Sequence, residues 1–516
     1  MVKGLILIVM LNGGNEKIKG SLKKIMGNKG SEEKIEVIVH LKEKPDFEKI
    51  KNLNPKEYVE YLKNFCKNSQ KDIINYLKKN FPYKISDLNP YFIFNGFYLR
   101  ATKDVIEKIS EREDVEYIIE DFIVQIEKKE NSYEIETPPW NIIRVKADSC
   151  WMIGYTGEGV IIGHMDTGVD INHPALSGKW LSPYWYDFVN GQTIPYDDNG
   201  HGTHTMGTIL GGDGLGPFSY DIGVAPGAKF VACKVFDNQG SGYSSWIHSG
   251  FQKILEWKGE GVPIVALSNS WGQSSTTSLE FWNDCLNLLN ANILSVFPAA
   301  RVGTDSQTVS TPASFPIVMG IGDPPNSGKG PAPDLPPWNN PQYWLRPDWN
   351  RIKPDICAPS QNITSSVPGG GYQTMSGMSF TCPHVTGGIA ILYQKNSNLT
   401  IPQVYNLLLD YAYKPPQGGP YPNNTYGWGY LDIYQALLHT PVRISEPSKL
   451  IIPSFEKAKI KIYNITGRKI KEIYFDLNEK TISRIHVFNE KIPQGIYFIK
   501  FETKGYEKNL KIIYIK

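Results

Sequence analysis

Hydrophobic and polar residues alternate differently in successive stretches of the chain, and each pattern predicts a different kind of element. In the first stretch Ile35, Val37, Val39 and Leu41 recur at every second position, the mark of one face of a strand. From Pro55 to Lys79 the spacing becomes helical, with Tyr58, Tyr61, Leu62, Phe65, Ile73, Tyr76 and Leu77 apolar. Short strands are expected at Tyr91–Phe94 and Phe97–Ala101, with Asn95-Gly96 as the turn between them. A helix from Lys103 to Arg112 and a strand from Val115 to Ile119 complete a β-α-β-β-α-β order. Lys128 to Pro139 is polar and ends in two prolines, which reads as an exposed linker.

Beyond Trp140 charge thins out and the periodicity changes again. Continuous apolar runs at Val160–His164, Phe230–Val235, Ile264–Ser268, Ile293–Val296 and Ile317–Gly322 alternate with helical stretches such as 244–257 and 278–290. Strands without alternation are buried on both faces, so a parallel sheet covered by helices is predicted. In such sheets, sites form at the carboxyl ends of the strands. Pro324 to Asn350, dense in Pro, Trp and Asn, reads as a long surface loop. After Pro441, Lys459–Tyr463, Ile482–Val487, Ile496–Phe501 and Leu510–Ile515 read as short strands of a β-sandwich.

Composition narrows the class. A chain of 516 residues implies two to four domains, and 41% hydrophobic residues supply a large core. A net charge of +2 leaves no nucleic-acid footprint. No apolar run approaches the ~18–20 residues that span a bilayer. Lys3 followed by Leu5 to Leu11 is either a clipped secretory signal at the lower limit of length or a buried first strand. The six cysteines, at 66, 150, 233, 285, 357 and 382, form no CxxC pair, which argues against a metal knuckle or redox motif. Cys233 and Cys357 fall in strand-like runs and read as small buried hydrophobes, while disulfides between distant cysteines stay open.

Three stretches carry chemistry. Gly371 to Gly388 presents Ser379 after the small-residue turn Ser376-Gly377-Met378 and before a buried helical run, Val385 to Leu392. There free N–H groups and the helix dipole favour an anionic oxygen, although Ser and Gly before a helix are more often only a cap. Ile161 to Asp170 is an apolar strand ending in Asp166-Thr167-Gly168. Aspartic proteases share that tripeptide but need two carboxylates, and no second copy occurs. His201 and His204, three apart, could be zinc ligands, yet no Glu stands between them and no third ligand is near.

Asp166, His201 and Ser379 follow one another in the chain order of the subtilisin group. Their flanks match as well: Trp151 to Gly157, Gly223-Val224-Ala225-Pro226, Asn269 to Gly272, Lys353 to Pro359 and Gly427-Trp428-Gly429. Over about 300 residues the chain resembles subtilisin-like serine proteases of the S8 peptidase family, closest to their bacillopeptidase F-like branch. The 34–128 module, with its closing run Val115 to Asp121, resembles the inhibitory propeptide of such enzymes. Lys461-Ile462-Tyr463, Gly467-Arg468, Gly495-Ile496-Tyr497 and a terminal basic strand resemble the C-terminal sorting domains of some Gram-negative secreted proteins. A carbohydrate- or protein-binding β-module is the other reading of that end.

The resemblance implies an α/β fold of the subtilisin type, a parallel sheet with helices on both faces, after a ferredoxin-like α+β prodomain and before a small β-sandwich. The layout is then a candidate signal and leader over 1–30, an inhibitory propeptide over 31–128, a linker over 129–139, a catalytic domain over 140–440 and the C-terminal module over 441–516. By that resemblance Ser379 is the nucleophile, His201 its general base and Asp166 the group that orients the imidazole. Gly240-Ser241-Gly242 and Ser270-Trp271-Gly272 would hold substrate as an added strand, although both also fit ordinary tight turns. His164, His204 and His384 are expected to be structural. No cofactor is required; structural calcium is allowed, but no acidic loop is diagnostic. The implied partners are polypeptide substrates, the chain's own propeptide and a sorting machinery, for a protein that is secreted or at the cell surface.

Several positions depart from the family pattern. In Pro298 to Gly303, Arg301 stands where the family has an Asn that donates to the oxyanion. Arg301 either donates in its place, with five N–H groups, or misses or obstructs the site. Met378, Phe380, Thr381 and Ser360 also differ from the usual residues. The expectation is therefore a self-processed serine endopeptidase, slow or selective, cut between Glu127 and Pro139. The alternative is a pseudoprotease, or a slow protease, serving as a surface recognition module.

Overall fold

A computed structural model describes residues 17–50, 52–126, 130–132, 139–212, 221–303, 305–442, 457–464, 469–476, 495–503 and 506–514. Two compact units result, Met1–Pro441 and Val442–Lys516. The segment Lys3–Leu11, read as signal or strand, lies outside the described residues.

The N-terminal module is a four-stranded antiparallel sheet in the order β2-β3-β1-β4, built from β1 (Lys34–Leu41), β2 (Ile85–Tyr91), β3 (Gly96–Thr102) and β4 (Val115–Glu120). Helices α1 (Pro55–Asn80) and α2 (Lys103–Ser110) complete the expected β-α-β-β-α-β order. The start of α1 is closed by a capping box: Asn54 accepts from the Glu57 N–H, and Glu57 accepts from the Asn54 N–H. Val37 and Val39 point into the module's own core with Phe97, Leu99, Ile73 and Leu77. Ile38, on the opposite face, joins the core of the central domain. One expectation needs correction. The apolar run Phe92 to Phe94 is not a strand but the turn between β2 and β3. Its hydrophobicity reflects docking, because the Phe92 and Ile93 N–H groups donate to the Gln252 side chain and the Ile93 carbonyl accepts from Asn287.

The central domain is a seven-stranded parallel sheet in the order β14-β13-β12-β11-β7-β9-β8. Its strands are β7 (Ile161–Asp166), β8 (Trp180–Asp187), β9 (Lys229–Lys234), β11 (Ile264–Asn269), β12 (Leu294–Pro298), β13 (Met319–Gly322) and β14 (Ile356–Cys357). Neighbouring residues on a strand serve opposite faces. Ile162, Phe230 and Ala232 pack with α3 (His201–Leu210) and α6 (Thr381–Lys395), whereas Met165, Val231 and Cys233 pack with α4 (Ser244–Gly259) and α5 (Trp282–Asn290). That is why these strands read as unbroken apolar runs. The module rests on α4 and α5; at the close approach, a Cβ on Gly259 would meet Val59 at 2.9 Å.

The stretch from Pro324 to Asn350 is not simply a surface loop, as its composition suggested. Trp338 is fully buried and donates to Ser314 Oγ, and Trp344 donates to the Trp338 carbonyl. Its aromatic residues pin an otherwise irregular segment to the core. All six cysteines are buried, and none forms a disulfide. No described helix is long and apolar enough to cross a membrane.

In the second unit, β17 (Lys457–Asn464), β18 (Lys469–Asp476), β19 (Gly495–Thr503) and β20 (Tyr506–Tyr514) form one antiparallel sheet, β18-β17-β19-β20. The expected strand at Ile482–Val487 lies outside the described residues, and β18 was not anticipated because its alternating charges resemble a solvated turn.

Between module and domain lies a buried polar cluster. His40 Nε2 meets Glu280 Oε1 at 2.9 Å, His248 meets the same oxygen at 3.2 Å and Asp284 at 2.8 Å, and Tyr117 donates to Glu280 at 3.3 Å. Burial works against a charged His248, but Asp284 and Glu280 outweigh it and hold its pKa up at about 9. Burial likewise opposes a charged Glu280, and the two histidines overcome it, holding the carboxyl well below its usual range. A raised histidine stabilises fully below its unfolded pKa and loses that contribution as pH rises through the folded value. Urea unfolding of the intact chain should therefore show stability falling between about pH 7 and pH 10, and His248→Gln should flatten that slope. A slope unchanged by the substitution would remove His248 as its cause.

Candidate functional site

The carboxyl end of β7 delivers Asp166, fully buried, to the edge of the sheet. The turn after it is pressed onto the first turn of α3: a Cβ on Gly202 would meet the Gly168 carbonyl oxygen at 2.1 Å. Glycine at 202 permits that approach, while glycine at 168 (φ 122°) clears the Tyr196 carbonyl, and the result sets His201, the first residue of α3, beside Asp166. His201 Nδ1 lies 2.7 Å from Asp166 Oδ1, and the Thr167 N–H also donates to that oxygen at 2.7 Å. An ionised carboxylate only accepts, so Nδ1 carries the ring proton and Nε2 is left as the basic nitrogen. His201 Nε2 is buried without a hydrogen-bond partner. Burial works against the Asp166 carboxylate, but His201 and the Thr167 N–H hold it below its ordinary pKa.

Asp197 knots this corner together, a role the sequence reading passed over. Its carboxylate accepts from Thr167 Oγ1 (2.9 Å), from the Asn199 and Gly200 N–H groups (3.0 and 2.9 Å), and from Thr203 N–H and Oγ1 (2.8 and 2.7 Å). It thereby joins the Asp turn to the N-terminus of α3. The only available signal was an Asp four residues before the histidine. His164, expected to be structural, lies behind Asp166. Its Nε2 meets Thr205 Oγ1 at 2.9 Å, and Thr205 in turn reaches Asp166 Oδ2 at 3.3 Å.

Ser379 is buried in a short 3₁₀ turn, Met378–Phe380, that leads into α6. Ser270 Oγ donates to its carbonyl at 2.8 Å, tying the end of β11 to the turn. The ring of the next residue, Phe380, lies 5.8 Å from the His201 ring and 4.6 Å from that of His204. His384 accepts at Nε2 from Asn141 and donates at Nδ1 to the Phe380 carbonyl; burial holds its pKa down at about 4, so it is neutral. His204 Nε2 lies 3.1 and 3.0 Å from the Ile363 and Gln373 carbonyl oxygens of β15 (Ile363–Val367) and β16 (Gly371–Ser376). Among the described residues, no group of three or more His, Cys, Asp or Glu is placed to hold a metal.

Two edges flank this centre, and the chain itself lies on both. β5 (Ile123–Gln125) pairs antiparallel with β10 (Ser241–Tyr243), setting Gly242 opposite Val124 and Ser241 opposite Gln125. The Ile126 N–H then donates to the Gly240 carbonyl at 2.9 Å. β6 (Glu130–Ser132) pairs antiparallel with β16, and Glu130 stands opposite Ser376, three residues before Ser379. Glu127 to Lys129 lie outside the described residues, but both of their flanks are fixed. Of the second expected edge, Trp271 is buried among Phe281, Phe297, Phe236 and Phe251, and the described residues pair no strand with Ser270 to Gly272. Arg301 is exposed, with Nε directed to the Ser327 carbonyl (3.3 Å) and Nη2 to that of Pro325 (2.8 Å).

Comparison with known proteins follows the same partition. Residues 157–429 match the Subtilase family, residues 36–127 the peptidase inhibitor I9 family and residues 446–516 a secretion system C-terminal sorting domain. Bacillopeptidase F of Bacillus subtilis (strain 168) is 30% identical over 425 residues, covering 73% of this chain but only 28% of that protein. Subtilisin NAT of Bacillus subtilis subsp. natto is 29% identical over 316 residues, covering 60% of this chain and 73% of the relative. Subtilisin-like protease 1 of Trichophyton rubrum is 31% identical over 302 residues, 56% of this chain and 53% of the relative.

The structure shows no hydrogen bond from Ser379 to His201 Nε2; the two are linked through Phe380, and a serine at a helix start served by that basic nitrogen can be acylated or phosphonylated. A fluorophosphonate probe should label Ser379 once residues 17–132 are removed, and His201→Ala should slow labelling by about 10³-fold or more. Equal labelling in the two proteins would break the link between them.

Proposed function

The chain belongs to the subtilase family, and from that premise we propose that it is a serine endopeptidase, secreted or held at the cell surface and made as a self-inhibited zymogen. The support that weighs most is the course of its own polypeptide, which pairs with β10 before the site and with β16 after it, as an extended substrate would. In this reading Ser379 Oγ attacks the scissile carbonyl while His201 Nε2 takes its proton. Asp166 holds Nδ1–H and stabilises the imidazolium. The C–N bond breaks as His201 returns the proton to the leaving amine. Water then hydrolyses the acyl-enzyme by the same base, so one hard amide cleavage becomes two easier steps. The Ser379 N–H, at the entry to α6, meets the oxyanion with the helix dipole behind it.

The N-terminal module is the intramolecular inhibitor, and the C-terminal unit addresses the protein to a sorting machinery. Since the flanking strands end at Ile126 and resume at Glu130, the processing cut falls between them, at the near end of the linker read from the sequence. The wild-type chain should yield a mature species whose first residue, by N-terminal sequencing, lies between Glu127 and Glu130. Ser379→Ala should stay full length. Processing that persists in that variant would assign the cut to another protease.

A second reading, a slow protease or surface recognition module, draws on Arg301. Its guanidinium is committed to the Pro325 and Ser327 carbonyls, so it is not the oxyanion donor in this proposal. Loss of one preorganised oxyanion donor costs about 10²–10³-fold in rate. Arg301→Ala should instead leave kcat within about threefold, far short of that loss. A drop of the full size would make Arg301 the donor after all.

A further inference from the structure

A cavity of about 260 Å³ opens between Trp140, Pro359 and Tyr430, and nothing in the hydrolytic reading uses it. Trp140, Tyr413 and Tyr430 wall it, with Arg144 and Asp323 facing in. The Arg144 guanidinium lies over two rings, 5.1 Å from the centroid of Tyr413 and 4.6 Å from that of Tyr430. Both contacts hold the charge through the π faces of the rings and consume none of its N–H groups. Among the described residues these find no hydrogen-bond acceptor and no ion pair. Asp323 does not neutralise the charge by contact. One of its oxygens is taken by Ser360 N–H (2.9 Å) and Oγ (2.6 Å), and the other by Tyr430 OH (2.7 Å).

The cavity is also tied to the leaving-group side of the site. Trp140 Nε1 donates to the Asn362 carbonyl at 2.9 Å, and the Asn362 N–H donates to Ser376 Oγ at 2.9 Å. The Gly377 N–H donates to the Ser360 carbonyl at 2.9 Å. Ser376 is the residue opposite Glu130 in the β6–β16 pair. The wall of the cavity is thus part of the scaffold on which the downstream peptide lies. The chain's own downstream sequence has matching charge: residues 130–139 carry Glu130, Glu134 and Glu136 and no Lys or Arg.

We propose that this cavity recognises a carboxylate side chain of the peptide downstream of the scissile bond, with Arg144 as its fixed, bidentate partner. A pinned guanidinium loses little freedom on binding, and the aromatic walls strengthen its charge-assisted hydrogen bonds. The proposal rests on the reading of Ser379 as nucleophile, so its test has two arms. In the first, the processed protein is given a peptide copying residues 124–137 and a version with Gln for Glu130, Glu134 and Glu136. The acidic peptide should be cut with roughly tenfold higher kcat/KM, and in Arg144→Met the ratio should fall to about one. In the second, the full chain carrying Glu130→Gln, Glu134→Gln and Glu136→Gln is titrated calorimetrically with the 130–137 peptide. The acidic peptide should bind, its Gln version should not, and Arg144→Met should abolish the difference. Cleavage without discrimination in the first arm, or equal binding of the two peptides in the second, overturns the proposal and leaves the protease reading intact. Discriminating binding without any cleavage does the reverse.

Discussion

A carboxylate removed from water stays ionised only if hydrogen bonds and a counter-charge replace its hydration, and the corner around Asp166 is built to meet that requirement. His201, the Thr167 N–H and Thr205 supply the bonds, with His164 behind Thr205. None of these groups would be in place without the contact of Gly168 on Gly202 and the five donors gathered by Asp197. The pair of glycines is thus a packing requirement before it is a signature. A methyl group at 202 would part the turn from the helix and one at 168 would strike the Tyr196 carbonyl, and the ring at 201 would lose the acceptor that fixes its tautomer.

The same end of the sheet explains how a peptide is read without a dedicated groove of side chains. β10 and β16 each offer a backbone edge that an extended segment, here β5 and β6 of the chain itself, completes by main-chain hydrogen bonds that any sequence can make. Such pairing gives affinity and register but little choice. Selectivity must come from side chains beyond the edges, such as Arg144, whose guanidinium lies over Tyr413 and Tyr430; Arg301, a departure from the family pattern, is turned to a neighbouring turn.

Much of this was legible in the sequence, and the limits have physical causes. The β-α-β-β-α-β order, the parallel sheet and the order Asp166, His201, Ser379 are local signals, carried by periodicity and by short motifs. The errors fall where hydrophobicity served docking rather than an element. Phe92 to Phe94 looked like a strand because it buries against α4 and α5, and Trp338 looked like loop because no period marks a single anchored ring. Asp197 was passed over for another reason. It acts through a neighbour 30 residues away in the chain, as in the Thr167–Asp197 bond, and a linear pattern holds no trace of that.

The interface between module and domain carries the argument one step further. α4 begins at Ser244 with no side-chain cap from its own N-cap residue; Asp121 of the module provides it, accepting from the Ser245 N–H and both serine hydroxyls. Glu280 of the domain takes His40 and Tyr117 of the module as partners, and the turn at Phe92 is held by Gln252 and Asn287. These are buried polar groups satisfied only when both halves are present, and a half-satisfied network costs more than an apolar surface of the same shape. The domain is therefore better satisfied folded against the module than alone. In the proposed zymogen, cutting the connection would leave these contacts in place until their partners are exchanged for water. One interface would then serve both the assembly of the sheet and helices and the retention of the module after cleavage.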